Sequence, residues 1–293
     1  MQTIDQDCYC FCTAAYGKKY RMLCELLVQD IAKFDPGRKF IIYTDDATPF
    51  RKYGHVVCYE QPLNSIGAYH QRRWAIKEAL AEYDFCICID SDNRIIKPVN
   101  FQFEIKPGIT ARSCCPYNKH EKDTIAGKSN KERQWQYGIF QAMSRKLGVN
   151  PQDPKLTWVN EFLFIVARDE GRERLFLDYW ERLELFAAVR RNAKGPCKQI
   201  ALAAFVSGIE IRRDEMPGLC FFDDRVAIYN RERGQPYPEE IEYYLAEQAS
   251  IEKMRKPFIQ KVWQKLGQSV SFEARWVQSC IKAWFIDRHF FFS

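Results

Sequence analysis

Phe85-Cys86-Ile87-Cys88-Ile89-Asp90-Ser91-Asp92 is an apolar run that stops abruptly at two carboxylates. Its length and continuity predict a strand buried on both faces. Residues two apart on a strand point the same way, so Asp90 and Asp92 can converge on one cation. Two hard oxygen ligands leave a divalent ion with open positions, which suits a phosphate-bearing ligand better than a closed structural site. A lone D-x-D is weakly specific, and a polar turn after a strand is the competing explanation.

The flanking segments favour the cation. Residues 7–14 (DCYCFCTA) read as a first strand. From Gly17 to Phe34, Tyr20, Leu23, Cys24, Leu27, Val28 and Ile31 keep the rhythm of an amphipathic helix, which Asp35-Pro36-Gly37 ends. Lys39 to Thr44 and His55 to Tyr59 are two more strands, and Ala68 to Tyr83 is a helix carrying Tyr69, Arg72, Arg73 and Lys77. Strands that are apolar throughout and alternate with helices predict an α/β fold with a mostly parallel central sheet covered on both faces. Such sheets bind ligands beyond the carboxyl ends of their strands. Ala14-Ala15-Tyr16 after the first strand and the carboxylate pair after the fourth both fall on that edge.

Beyond Ile95 the rhythm changes. Ile109 to Pro116 is a further strand; Tyr117 to Arg133, rich in Lys, Asn, Gly and Asp, reads as a mobile loop. Gln134 to Leu147 is helical, Trp158 to Ala167 is one strand opening on Asn160 and Glu161, and Glu173 to Val189 and Gln199 to Val206 are helices. From about Pro236 the chain is a helical extension. There Phe272, Trp276, Val277, Cys280, Ile281, Trp284 and Phe285 form one apolar stripe, fit either to pack on the domain or to lie on an anionic lipid surface.

With 293 residues, 46% of them hydrophobic, the chain can bury a substantial core. Twelve cysteines do not predict disulfides, because Cys8, Cys10 and Cys12 alternate along one strand and Cys86 and Cys88 along another. Same-face neighbours on a strand stand roughly 6–7 Å apart with near-parallel Cβ vectors. Free thiols in a reducing cytoplasm are expected. The opening MQTIDQDCYCFCTAAYG lacks a signal-peptide pattern, and no run of apolar residues is long enough to span a bilayer. The expected setting is cytoplasmic, in solution or peripheral to a membrane. Net charge is +6, and Ser250 to Ser293 holds eight Lys/Arg against three acidic residues. A positive excess confined to the tail, without a recognition motif, argues against nucleic acid.

The ordered set resembles the GT-A fold glycosyltransferases, which use nucleotide-sugar donors. Four local matches carry the resemblance across residues 7–230: Thr13-Ala14-Ala15-Tyr16 closing the first strand; the run from Tyr69 to Lys77 leading through Tyr83-Asp84 into an apolar strand; Asp90-Ser91-Asp92; and Trp158-Val159-Asn160-Glu161, followed by Phe176 to Trp180 and Gln199 to Gly208. The resemblance implies a Rossmann-like catalytic domain over 1–235, with a donor half to about 97 and an acceptor half from about 98, and an extension over 236–293. It implies transfer of a sugar from a UDP-linked donor to a hydroxyl of a glycan or lipid-linked acceptor, with Mn²⁺ or Mg²⁺ as cofactor. Asp90 and Asp92 would hold the metal. Ala14, Ala15, Tyr16, Arg72, Arg73, Lys77, Asp90 and Ser91 would hold the donor. Asn160 or Glu161 would stand near the reacting centre, whether the reaction inverts or retains. Many retaining members carry a late His in an H-F-x-G-like segment as a third ligand. The corresponding stretch here, Ala227 to Gly234, has none. Asn230, His289, or donor phosphates with water are the alternatives.

Two other classes remain. A sugar-phosphate nucleotidylyltransferase needs a Gly-rich loop with Arg after the first strand, whereas Ala14 to Lys19 supplies one Gly. A non-catalytic membrane scaffold would use only the basic, aromatic tail.

Overall fold

The structure, a computed structural model, describes residues 8–120, 131–193, 195–222, 239–253 and 258–292. Its first part runs β1 (Tyr9–Ala15), α1 (Lys18–Phe34), β2 (Phe40–Thr44), β3 (Val56–Glu60), α2 (Arg72–Glu82), β4 (Phe85–Ile89) and β5 (Arg94–Ile95). The second part holds β6 (Gly108–Ala111), β7 (Cys114–Pro116), α3 (Lys131–Lys146), β8 (Thr157–Val159), β9 (Leu163–Ala167), α4 (Arg172–Val189), α5 (Cys197–Ser207), β10 (Ile211–Arg213) and β11 (Phe221–Phe222). Helices α6 (Glu239–Glu252) and α7 (Phe258–Phe292) follow.

Seven strands make one sheet in the order β10-β6-β9-β4-β1-β2-β3. β1 is parallel to both β2 and β4, β2 to β3, and β10 to β6; β9 runs antiparallel between β4 and β6. The mostly parallel, helix-flanked α/β sheet is therefore the fold of this chain. Its pleat explains the cysteines. Cys10, Cys12, Cys86 and Cys88 face one core layer, while Tyr9, Phe11, Ile87 and Ile89 face the other. Burial raises the Cys12 thiol pKa well above its ordinary value, and no cysteine is in a disulfide.

Three expectations are corrected. Trp158 to Ala167 is two strands in two sheets, with Asn160-Glu161-Phe162 as the link. Asn160 is held to the small sheet and not the main one: its N–H donates to the Ser113 carbonyl at 2.9 Å, in register with the β7–β8 pairing. Ile109 to Pro116 likewise divides, β6 joining the main sheet and β7 pairing with β8. Tyr117 to His120 is helical, not loop: Tyr117 is buried with its ring stacked on Phe140 at 4.0 Å. The stretch Ala227 to Gly234, including Asn230, lies outside the described residues.

α4 is the central helix of the second layer, with Trp180 fully buried. The Trp180 indole N–H donates to His70 Nδ1 at 3.1 Å, and burial lowers the His70 pKa. The imidazole is thus neutral with its proton on Nε2. α7 lies on α4: Ala283 and Phe291 are buried, the Trp276 indole donates to the Val189 carbonyl at 3.0 Å, and Arg182–Asp287 and Lys282–Glu181 pair at 2.6 and 2.8 Å. The apolar stripe is therefore split. Trp276 turns inward, while Val277, Ile281, Trp284 and Phe285 are exposed, Phe285 at 83%.

Candidate functional site

The sharp exit from β1 opens the site. Gly17 has φ +83°, a conformation that glycine adopts without strain, and its N–H donates to Asp45 at 3.0 Å. Asp45 also pairs with Arg21, and Asp46 accepts from the Thr48 N–H at 3.0 Å, so both acids brace the turns after β1 and β2. Thr13 Oγ1 donates to the Ile89 carbonyl at 2.6 Å, tying the ends of β1 and β4 together.

After Ile89 the backbone turns. Asn93 N–H donates to the Asp90 carbonyl at 3.0 Å, and the Asp90 N–H and Asn93 Nδ2 both donate to the Phe162 carbonyl, at 2.9 and 3.0 Å. Asp90 and Asp92 therefore sit on a turn, and strand alternation is not what aims them. Asp90 is buried and paired with Arg72, whose second nitrogen donates to the Glu161 carbonyl at 2.8 Å. Asp92 is half-buried.

These residues line a cleft of about 500 Å³ at the carboxyl edge of the sheet: Ala14, Tyr16, Lys19, Tyr20, Ala68, Tyr69, Arg72, Asp90, Ser91 and Asp92. Three separated segments meet there. Tyr69 is 40% exposed and flanks Arg72, its ring centroid 5.8 Å from the guanidinium carbon. The Tyr16 hydroxyl is buried without a hydrogen-bond partner among the described residues, and burial, then Asp45, raise its pKa. Gly67, just before Ala68, lets the chain pass close to Ala193, since a Cβ there would stand 2.5 Å from the Ala193 carbonyl oxygen.

Several expected residues lie elsewhere. Ala15 is fully buried in the β1 core. Arg73 is buried against α4, paired with Glu184 and with Glu181 at 3.5 Å. Lys77 is exposed, 5.4 Å from the Trp74 ring centroid. Consecutive helix positions diverge by about 100°, which separates Arg72 from Arg73. Asn160 and Glu161 are half-buried and are not among the residues that line the cleft. The Glu161 carboxylate accepts from the Cys197 thiol, whose pKa is raised by burial and by that carboxylate. His289 is exposed on α7, its carbonyl taking the Lys146 ammonium at 3.0 Å. Lys19, Tyr20, Tyr69 and Asn93 were not singled out from sequence as site residues, although Asn93 directly follows the acidic pair.

The donor set suits a hard cation. Among the described residues no group of three or more His, Cys, Asp and Glu could hold a metal. Beside Asp92, however, the buried Asn93 Oδ1 has no partner among the described residues. A buried amide oxygen without a donor costs about 1–3 kcal/mol, and amide oxygens are ordinary ligands of Mg²⁺-like and Ca²⁺-like ions.

No protein-family model matches the chain, and no curated protein matches it. Among solved structures it is similar to the galactosyltransferase LgtC in complex with donor and acceptor sugar analogs, at 11% identity and a TM-score of 0.41, over 69% of this chain and 72% of that one. Likeness at that level is too slight to carry chemistry from one chain to the other.

Proposed function

We propose that this chain is a metal-dependent glycosyltransferase that moves a sugar from a nucleotide-diphosphate donor, UDP-linked, to a hydroxyl of a glycan or lipid-linked acceptor. One observation carries the proposal. A single cleft at the carboxyl edge of the sheet is lined by Ala14 and Tyr16, by Arg72, and by Asp90, Ser91 and Asp92. Aromatic walls suit a nucleobase, and a guanidinium beside carboxylates suits a diphosphate held with its cation.

On this proposal the domain over 1–235 holds the donor in its first 97 residues and the acceptor in the rest. Mn²⁺ or Mg²⁺ would be held by Asp92 with neighbouring oxygens, and would neutralise charge on the leaving diphosphate. Arg72 orients the donor, and Asp90 fixes Arg72 by their buried ion pair. Glu161 holds Arg72 through its carbonyl, so Asn160 and Glu161 form the acceptor-side shoulder. Thermal stabilisation by UDP with Mn²⁺, well above that by either alone, tests this. Equal midpoints in all arms would defeat it. A nucleotidylyltransferase is less well supported, because the turn after β1 carries one glycine and no arginine before Arg21.

The exposed face of α7 supports membrane contact at the acceptor side. Val277, Ile281, Trp284 and Phe285 project outward, and the tail carries most of the net positive charge. Among the described residues no helix is long and apolar enough to cross a membrane. The full chain is expected to sediment with anionic vesicles, and Trp284→Ser with Phe285→Ser to weaken this roughly tenfold or more. Wild-type chain left in the supernatant would refute the contact.

A further inference from the structure

Helix α6 reaches the acidic turn from 156 residues away in sequence, where Gln248 Nε2 donates to the Asp92 carbonyl. The approach is fixed by charge. Arg94 pairs twice with Asp30, at 2.6 and 2.9 Å, and with Glu247 of α6 at 2.7 Å. The Tyr244 ring centroid lies 4.6 Å from the same guanidinium carbon.

Gln248 is 3% exposed, and its Oε1 has no hydrogen-bond partner among the described residues. The amide orientation is forced, because a main-chain carbonyl only accepts and the nitrogen must face it. The oxygen is therefore buried one amide's width from the Asp92 main chain, with its lone pairs unused. Asn93 repeats the pattern, its Nδ2 donating to Phe162 while Oδ1 goes without a partner among the described residues. Two amide oxygens without a partner among the described residues thus belong to the residue bonded to the Asp92 main chain and to the residue next to Asp92 in sequence.

We propose that Gln248 Oε1 is a neutral oxygen ligand of the divalent cation at Asp92, so that α6 is part of the cation site. This rests on the cation assignment above. Hard divalent ions accept amide oxygens beside carboxylates, and such a ligand relieves the unmet acceptor.

The test is Mn²⁺ binding to the full chain with UDP present, read from the electron paramagnetic resonance signal of free Mn²⁺. Gln248→Leu, with the shape but neither polar atom, is expected to bind Mn²⁺ at least tenfold more weakly. Gln248→Glu also loses the donor to the Asp92 carbonyl but keeps an oxygen, and is expected to bind at least tenfold more tightly than Gln248→Leu. Wild-type affinity in Gln248→Leu, or a matching loss in Gln248→Glu, overturns the assignment. If Gln248→Leu does not fold, Gln248→Met takes its place: binding weaker than in Gln248→Glu supports the ligand, and binding equal to it removes the ligand. A wild-type chain that takes up no Mn²⁺ refutes the cation site itself, a different result from binding that ignores position 248.

Discussion

Asp92→Ala abolishes the Mn²⁺-dependent part of UDP binding and slows transfer from a UDP-sugar by roughly a hundredfold or more. The expectation follows from the division of labour in the acidic turn. Asp90 is paired with Arg72, and Asp92 is the other carboxylate that lines the cleft. Outer residues of metal sites typically cost 10–100-fold when lost, so the residue that touches the ion should cost at least as much. Asp92 is only half-buried, and its turn is held by backbone bonds through Asp90 and Asn93. The variant should therefore melt, without ligand, close to wild type. Full Mn²⁺ dependence in Asp92→Ala would show that the cation sits elsewhere; lost stability without ligand would show a structural role instead.

Arg94→Ala is expected to lower the unfolding free energy by about 3–5 kcal/mol. Both members of the Arg94–Asp30 pair are buried, with side-chain exposures of 5% and 6%. Burial raises the Asp30 pKa, opposed by the hydrogen bonds from Arg94. Removing Arg94 leaves a carboxyl that favours its protonated form more strongly in the folded than in the unfolded chain. The sign is fixed by linkage: a folded pKa raised above the unfolded value adds a cost that grows as pH rises through that window. The loss should be larger at pH 8 than at pH 5, measured by urea denaturation. Equal losses at the two pH values would assign the effect to packing. Asp30→Leu with Arg94→Met should recover most of the difference, because an apolar pair leaves no buried charge behind.

What the sequence made legible was local. The apolar runs of β1, β2 and β4 and the periodicity of α1 are set within a few residues, and the carboxyl-edge rule brought Tyr16 and Asp92 to one cleft. What it hid depends on distant partners. Arg73 looks equivalent to Arg72 until Glu184, 111 residues later, claims it. Trp158 to Ala167 looks like one strand until β7 claims its first part and β4 and β6 the rest. Tyr69 was noted only as a helix residue; its place against Arg72 appears once the 3₁₀ turn of Ala68–Gln71 is folded. Nothing near Gln248 announces Asp92.

The salt link between Asp30, Arg94 and Glu247 also sets an order of events during synthesis. The first two residues leave the ribosome early and can meet at once, but the third follows some 150 residues later. Until it arrives, a nascent chain carries a guanidinium short of one counter-charge and a turn that lacks its neighbour from α6. Completion of the acidic turn is thereby deferred until Glu247 and Gln248 have been made.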